Sequence, residues 1–362
     1  MPSGLTSAMT TPKYVQAAYR RIGAAESRLF RFDGLFQTGA MAVEAKVSEA
    51  GDDAAEAFAP VAASELVFPD LRRRAKETWR ARRECETAFG AILGPEFLAL
   101  DIAVGISQEC TRRLSNSHNQ NVPPQVAYAF SSLAVRAHAT VHEISALLRA
   151  GMVNGARGRW RTLHEIDVVT RVLAEGNRHT ATRYNNHRWV TLALDIDHAP
   201  SEMSWPFPGP DPATMRMRLI KRYGDPYGSR YGWAAEVSKR LLSNPRPNWY
   251  HLEKIADISA ARTQRVKTAH HAVHADALVV LRHIDATGLL HAGAQVDGVA
   301  DVAWQAIHTL RGTTNVLLGI WQRYDQAPQV TAGQRFADEV LFQCEVIVLD
   351  RIAEERALAA RG

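Results

Sequence analysis

Residues 155–173, GARGRWRTLHEIDVVTRVL, place four arginines, a histidine and two acids in one segment of helical periodicity. With about 100° between successive residues, Met152, Leu163, Ile166, Val169 and Leu173 share one broad arc, which Val168 and Val172 continue. Arg161 and Glu165 project among these valines, whereas Asp167 and Arg171 fall on the polar side. Side chains four apart on a helix can meet. A buried guanidinium needs a counter-charge, and Glu165 is the acid within reach of Arg161. Two readings follow. The pair is a buried ion pair that fixes the register of the helix, or it lines a polar cavity that holds an anion or another polar ligand.

The same segment offers a second pair, Arg159 and His164. An arginine followed by a histidine at this spacing resembles the catalytic motif of the HEPN superfamily, whose helical domains include metal-independent ribonucleases. That resemblance implies an RNA substrate, a homodimer that shares one cleft, and a role in stress or phage defence. The histidine would move a proton at the 2′-hydroxyl or leaving oxygen, and the arginine would offset charge on the phosphorane. On a regular helix the two side chains project about 140° apart. Histidine pairs four apart also occur at His138 and His142 and at His270 and His274. Two helices that each present such a pair can build a metal site inside a bundle, which gives a metal-dependent enzyme as a third reading.

Other signatures are missing. The sequence has no GxxxxGK[ST] loop, no GxGxxG, no GxSxG and no HExxH, so no cofactor is expected. Cys85, Cys110 and Cys344 contain no CxxC pair and are expected to be reduced thiols. The net charge of +5 permits a polyanionic partner without requiring one. No secretory leader or apolar run of membrane-spanning length is present, so a cytoplasmic protein without a membrane partner is expected.

These residues must be positioned by helices. Residues 125–150 place Val126, Phe130, Leu133, Ala137, Val141, Ile144 and Leu148 on one stripe, and the last segment repeats the pattern with Phe336, Val340, Cys344, Ile347 and Ile352. Residues 229–243, 249–287 and 297–323 also read as helices, and no alternating strand pattern of useful length occurs. The fold class is all-α, a bundle of about five or six helices with an N-terminal helical extension. The polar stretch SNSHNQNVPPQ suggests a division into residues 1–120 and 121–362. The proline-rich residues 198–215 break the helical run and are a candidate lid over Arg161.

The stretch ALLRAGMVNGARGRWRTLHEIDVVTRVLAEG resembles the hallmark of the domain of unknown function 5677 family, and the resemblance covers about residues 125–290. It implies a bacterial helical domain without an established activity. By that resemblance Arg161 and Glu165 match an arginine–glutamate pair, Arg183 and Tyr184 an arginine–aromatic pair, and His274 a histidine in HHAVHADALVVL. The expected function is binding of a small polar or anionic ligand, or of a protein partner, at a buried site built from Arg161, Glu165 and His274.

Overall fold

The computed structural model describes residues 86–116, 121–197, 210–271, 298–324 and 328–359, with scattered positions between 73 and 84. These residues are all-α, as expected, and no strand occurs among them. The chain divides into two compact units, of which the second comprises residues 95–147, 153–290 and 298–362. The first is described chiefly through the helical residues 86–92, where Phe89 is fully buried, as is Leu93 just beyond them. The candidate residues all belong to the second unit.

The long helices are α1 (Gly94–Asn116), α2 (Pro124–Arg149), α3 (Val153–Glu175) and α4 (Arg178–Asp197). Shorter ones follow as α5 (Pro212–Tyr223), α6 (Ala235–Leu242), α7 (Trp249–Ile255) and α8 (Ala260–His271). Two long helices, α9 (Val299–Tyr324) and α10 (Pro328–Ala359), complete the described chain. Helix α3 is central: α9 packs along it, and α7 and α8 cover another part of its surface. Its buried residues therefore include polar ones, His164, Asp167 and Thr170, beside Trp160, Leu163 and Val168.

The apolar stripe on α2 is buried as the periodicity requires. On α10 the buried apolar residues are Ala337, Leu341, Cys344, Val348 and Ile352, at steps of four, three, four and four along one face. Phe336 and Ile347, assigned to that face from sequence, are exposed. The segment 249–287 is not one helix either. Asn248 caps α7 in a capping box with His251. Asp257, with a φ of 51°, then breaks the chain before α8. The part of the segment beyond His271, and residues 198–209 of the suggested lid, lie outside the described residues.

Between α5 and α6 the chain makes two 3-10 turns, Asp225–Gly228 and Gly232–Ala234, held by Arg183 of α4. The Arg183 side chain is buried, donates to the carbonyls of Gly232 and Trp233, and pairs with Glu236 at 3.0 Å. It also lies 4.8 Å from the ring centre of Tyr223 and 5.0 Å from that of Tyr227. The Tyr227 hydroxyl donates back to the Arg183 carbonyl at 2.7 Å. Tyr184 packs edge-on against Trp233. In this unit the Arg183–Tyr184 pair does structural work.

A Cβ on Gly232 would stand 2.4 Å from the carbonyl oxygens of Pro226 and Tyr227, too close without backbone movement. A Cβ on Gly333, within α10, would meet nothing within 4 Å. Gly232→Ala is expected to cost roughly 2–3 kcal/mol. Gly333→Ala is expected to stabilise by up to about 1 kcal/mol through helix propensity. Urea denaturation of both variants beside the wild type checks the opposed signs.

Candidate anion-binding site

The charged side chains of α3 leave the helix in several directions. Arg161 donates from Nη1 to His270 Nδ1 at 2.6 Å, and its Nε lies 3.3 Å from Glu165 Oε1. The pair forms as its spacing suggested, but the side chains keep 31% and 45% of their exposure, so it sits at the surface and not in a buried cavity. The histidine beside it is His270 of α8, and His274 lies outside the described residues. Arg159 pairs with Glu143 of α2. His164 points instead to Glu253 of α7, with Nε2 3.0 Å from Oε1. The arginine and histidine of the nuclease reading are thus engaged by different helices.

His164 is fully buried between Trp160 and Trp249. Desolvation lowers its pKa, although Glu253 acts in the opposite direction. The neutral ring then donates from Nε2–H to Glu253, which leaves Nδ1 as an unpartnered acceptor in the core.

The centre of charge is Asp167, assigned to the polar side from sequence but fully buried here. Its Oδ2 accepts from Arg171 Nε at 3.0 Å and from Arg262 Nη1 of α8 at 2.8 Å. Its Oδ1 accepts from the Thr313 hydroxyl of α9 at 3.1 Å. Gly312 makes room for this arrangement, because a Cβ there would stand 2.5 Å from Arg171 Nη2. One carboxylate therefore serves two guanidinium groups.

Arg262 is the incompletely satisfied member. Its side chain is 13% exposed, and both Nε and Nη2 are buried without a hydrogen-bond partner. These two atoms form the lateral edge of the guanidinium, the edge that grips carboxylate or phosphate through two parallel hydrogen bonds. Arg262 lines a cavity of about 140 Å³ together with Trp160, Arg265, Trp304, Gln305 and His308. The Arg265 guanidinium lies 4.8 Å from the Trp304 ring centre, and His308 stacks on that ring at 5.2 Å. The Trp304 indole N–H is buried and unpartnered. By contrast, the Trp160 indole N–H is fully used by the Gln305 carbonyl and the Thr309 hydroxyl, each at 3.1 Å. The cavity thus gathers two cations and unused N–H donors.

A larger cleft of about 770 Å³ lies at the C-terminal end of α3, lined by Arg171 and Arg323. Its cations are already engaged, Arg171 by Asp167 and Arg323 by the Ala174 carbonyl, and Glu175 and Asp257 also line it. It has no counterpart of the unpartnered Arg262 edge.

Residues 127–288 match the family of unknown function DUF5677. The match covers less than half of the chain. Neither a curated protein nor a solved structure matches the chain. The matched stretch contributes Trp160, Asp167, Arg262 and Arg265 to the site, while Trp304 and His308 come from α9, beyond the matched residues. No single helix among the described residues is long and apolar enough to cross a membrane.

The histidines of the metal reading are held by other groups. His138 Nε2 lies 2.8 Å from the Ser107 hydroxyl, and His142 Nε2 lies 3.0 Å from the Gln108 amide nitrogen. Among the described residues no group of three or more histidine, cysteine or acidic side chains is placed to hold a metal ion. Sequence reasoning passed over Arg262, Arg265, Trp304 and His308. The i, i+4 spacing of Trp304 and His308 is visible in the sequence, but nothing there connects it to Arg262.

Two outcomes are expected. Asp167→Ala strands two guanidinium groups and is expected to cost about 3–5 kcal/mol in denaturant unfolding, the size of a broken buried pair. Burial lowers the His138 pKa from 6.5 to about 4. Between these values the unfolded chain binds the proton and the folded chain does not, so stability falls as pH drops, by about 1.4 kcal/mol per unit. His164 and His187, also lowered chiefly by desolvation, act in the same direction. Unfolding free energies at pH 7 and pH 5 are expected to differ less in His138→Gln than in the wild type.

Proposed function

We propose that this protein binds a small oxyanion, a phosphate group or a carboxylate, in the cavity between α3, α8 and α9. The single observation that carries the reading is the unpartnered lateral edge of Arg262, a buried pair of donors on a residue that lines the cavity. Unsatisfied buried donors are costly, and an oxyanion with two acceptor oxygens satisfies both at once. Charge argues the same way, since Arg265 adds a further cation to the residues that line the cavity. The cavity takes a phosphoryl or carboxyl group, and a larger organic part extends toward solvent.

Trp304 acts through its edge. Its ring already packs against Arg265 and His308, so its contribution is the indole N–H. The ligand is therefore recognised by charge and hydrogen bonds.

This reading keeps the expected ligand chemistry and moves it from Arg161, Glu165 and His274 to Arg262, Arg265 and Trp304. The geometry does not favour the nuclease pair, because Arg159 and His164 bond to α2 and α7 respectively.

Titration calorimetry with inorganic phosphate and with acetate tests the site. Arg262→Lys keeps the positive charge beside Asp167 but removes the two-pronged edge. It is expected to weaken binding of the preferred anion by about tenfold or more, equivalent to about 1.4 kcal/mol. Equal affinity in wild type and Arg262→Lys, or heats of dilution alone from both anions, overturns the reading.

A further inference from the structure

The rim of this cavity carries a histidine with the attributes of a proton-transfer group. His308 is half exposed, and its Nδ1 lies 3.2 Å from Oε2 of Glu345 on α10. The Glu345 side chain is only 7% exposed, and its other oxygen lies 3.5 Å from Arg311 Nη1. Arg311 is anchored independently by Asp338, at 2.6 and 3.1 Å. A carboxylate held in this way accepts the Nδ1–H of the neutral imidazole. The lone pair is then left on Nε2, the tautomer that suits a general base. No hydrogen bond engages Nε2 among the described residues.

We propose that the cavity is a metal-independent phosphate-ester hydrolase site in which His308 is the catalytic base and Glu345 its positioning residue. The proposal rests on the oxyanion reading above and deepens it by naming the substrate class. Arg262, Arg265 and the Trp304 N–H hold the non-bridging phosphoryl oxygens, and the ester group extends past His308 to solvent. Water attacks phosphorus while His308 Nε2 takes one of its protons. The new P–O bond forms as the ester P–O bond breaks, and the departing oxygen keeps the bonding pair. That oxygen takes the proton from His308, which returns to neutral, so one ester and one water give a phosphate and an alcohol. Charge that builds on the phosphoryl oxygens is offset by the two arginines already in place.

Hydrolysis of p-nitrophenyl phosphate and bis(p-nitrophenyl) phosphate by the full chain, with chelator present, tests the proposal beside calorimetry with inorganic phosphate. The wild type is expected to turn over at least one ester. His308→Ala is expected to lower kcat by about 100-fold or more while phosphate affinity stays near wild type. Glu345→Gln is expected to lower kcat by roughly tenfold or more, with KM and Tm unchanged, which a merely structural role would not produce. Bound phosphate without turnover of either ester, or wild-type kcat in folded His308→Ala, overturns the hydrolase proposal and leaves the oxyanion site standing. Absence of phosphate binding in the wild type overturns the hydrolase proposal, and absence of both phosphate and acetate binding overturns the oxyanion reading as well.

Discussion

A single buried carboxylate organises the second unit. Asp167 accepts from Arg171 on its own helix, Arg262 on α8 and Thr313 on α9, so three helices meet at two oxygen atoms. Burying charge is costly unless each group finds its partners. The surrounding chain bears the marks of that demand. Gly312 leaves α9 bare where Arg171 lies against it, and Thr313 places a hydroxyl on the adjoining turn. Two guanidinium groups share this one carboxylate, and the lateral edge of Arg262 is left without a partner. Structural and functional demands meet in this one residue.

The short elements between α4 and α8 bring Arg262 to that point. Arg183 gathers the two 3-10 turns through backbone carbonyls and tyrosine faces, which fixes where α6 begins. The capping box at Asn248 starts α7, and the left-handed backbone of Asp257 ends the helical run two residues after it. A continuous helix through this region would carry Glu253 and Arg262 along one straight axis. The break lets Glu253 reach His164 while Arg262 reaches Asp167 on the same face of the bundle.

Two histidine–glutamate pairs show how burial changes one motif. His164 and Glu253 are enclosed by tryptophans, and desolvation keeps that imidazole neutral in a core position with no route to a ligand. His308 and Glu345 have the same partners in another setting, a buried carboxylate and a ring half open to solvent beside a cavity. The first pair ties α3 to α7. The second leaves a nitrogen free to meet a substrate. Residue type is the same in both, and environment separates the roles.

The sequence by itself determined the helical class, the α2 stripe, the Arg161–Glu165 contact and the likeness of about residues 125–290 to DUF5677. Each of these rests on spacing within one helix or on a local motif, and helical geometry fixes such relations before packing begins. Tertiary structure decided which charges are buried. A periodicity argument grants a helix one apolar face, but α3 has neighbours on several sides, so the side assigned to water faces Thr313 and Arg262. The same limit explains α10, where the packed face runs through Ala337, Leu341 and Val348 and leaves Phe336 and Ile347 outside. Arg262, Trp304, His308 and Glu345 are distant in sequence and meet only because α8 and α9 pack against α3 and α10 packs against α9. Contacts between helices depend on packing angle and on where each helix is broken, and neither is written in the local pattern of one segment.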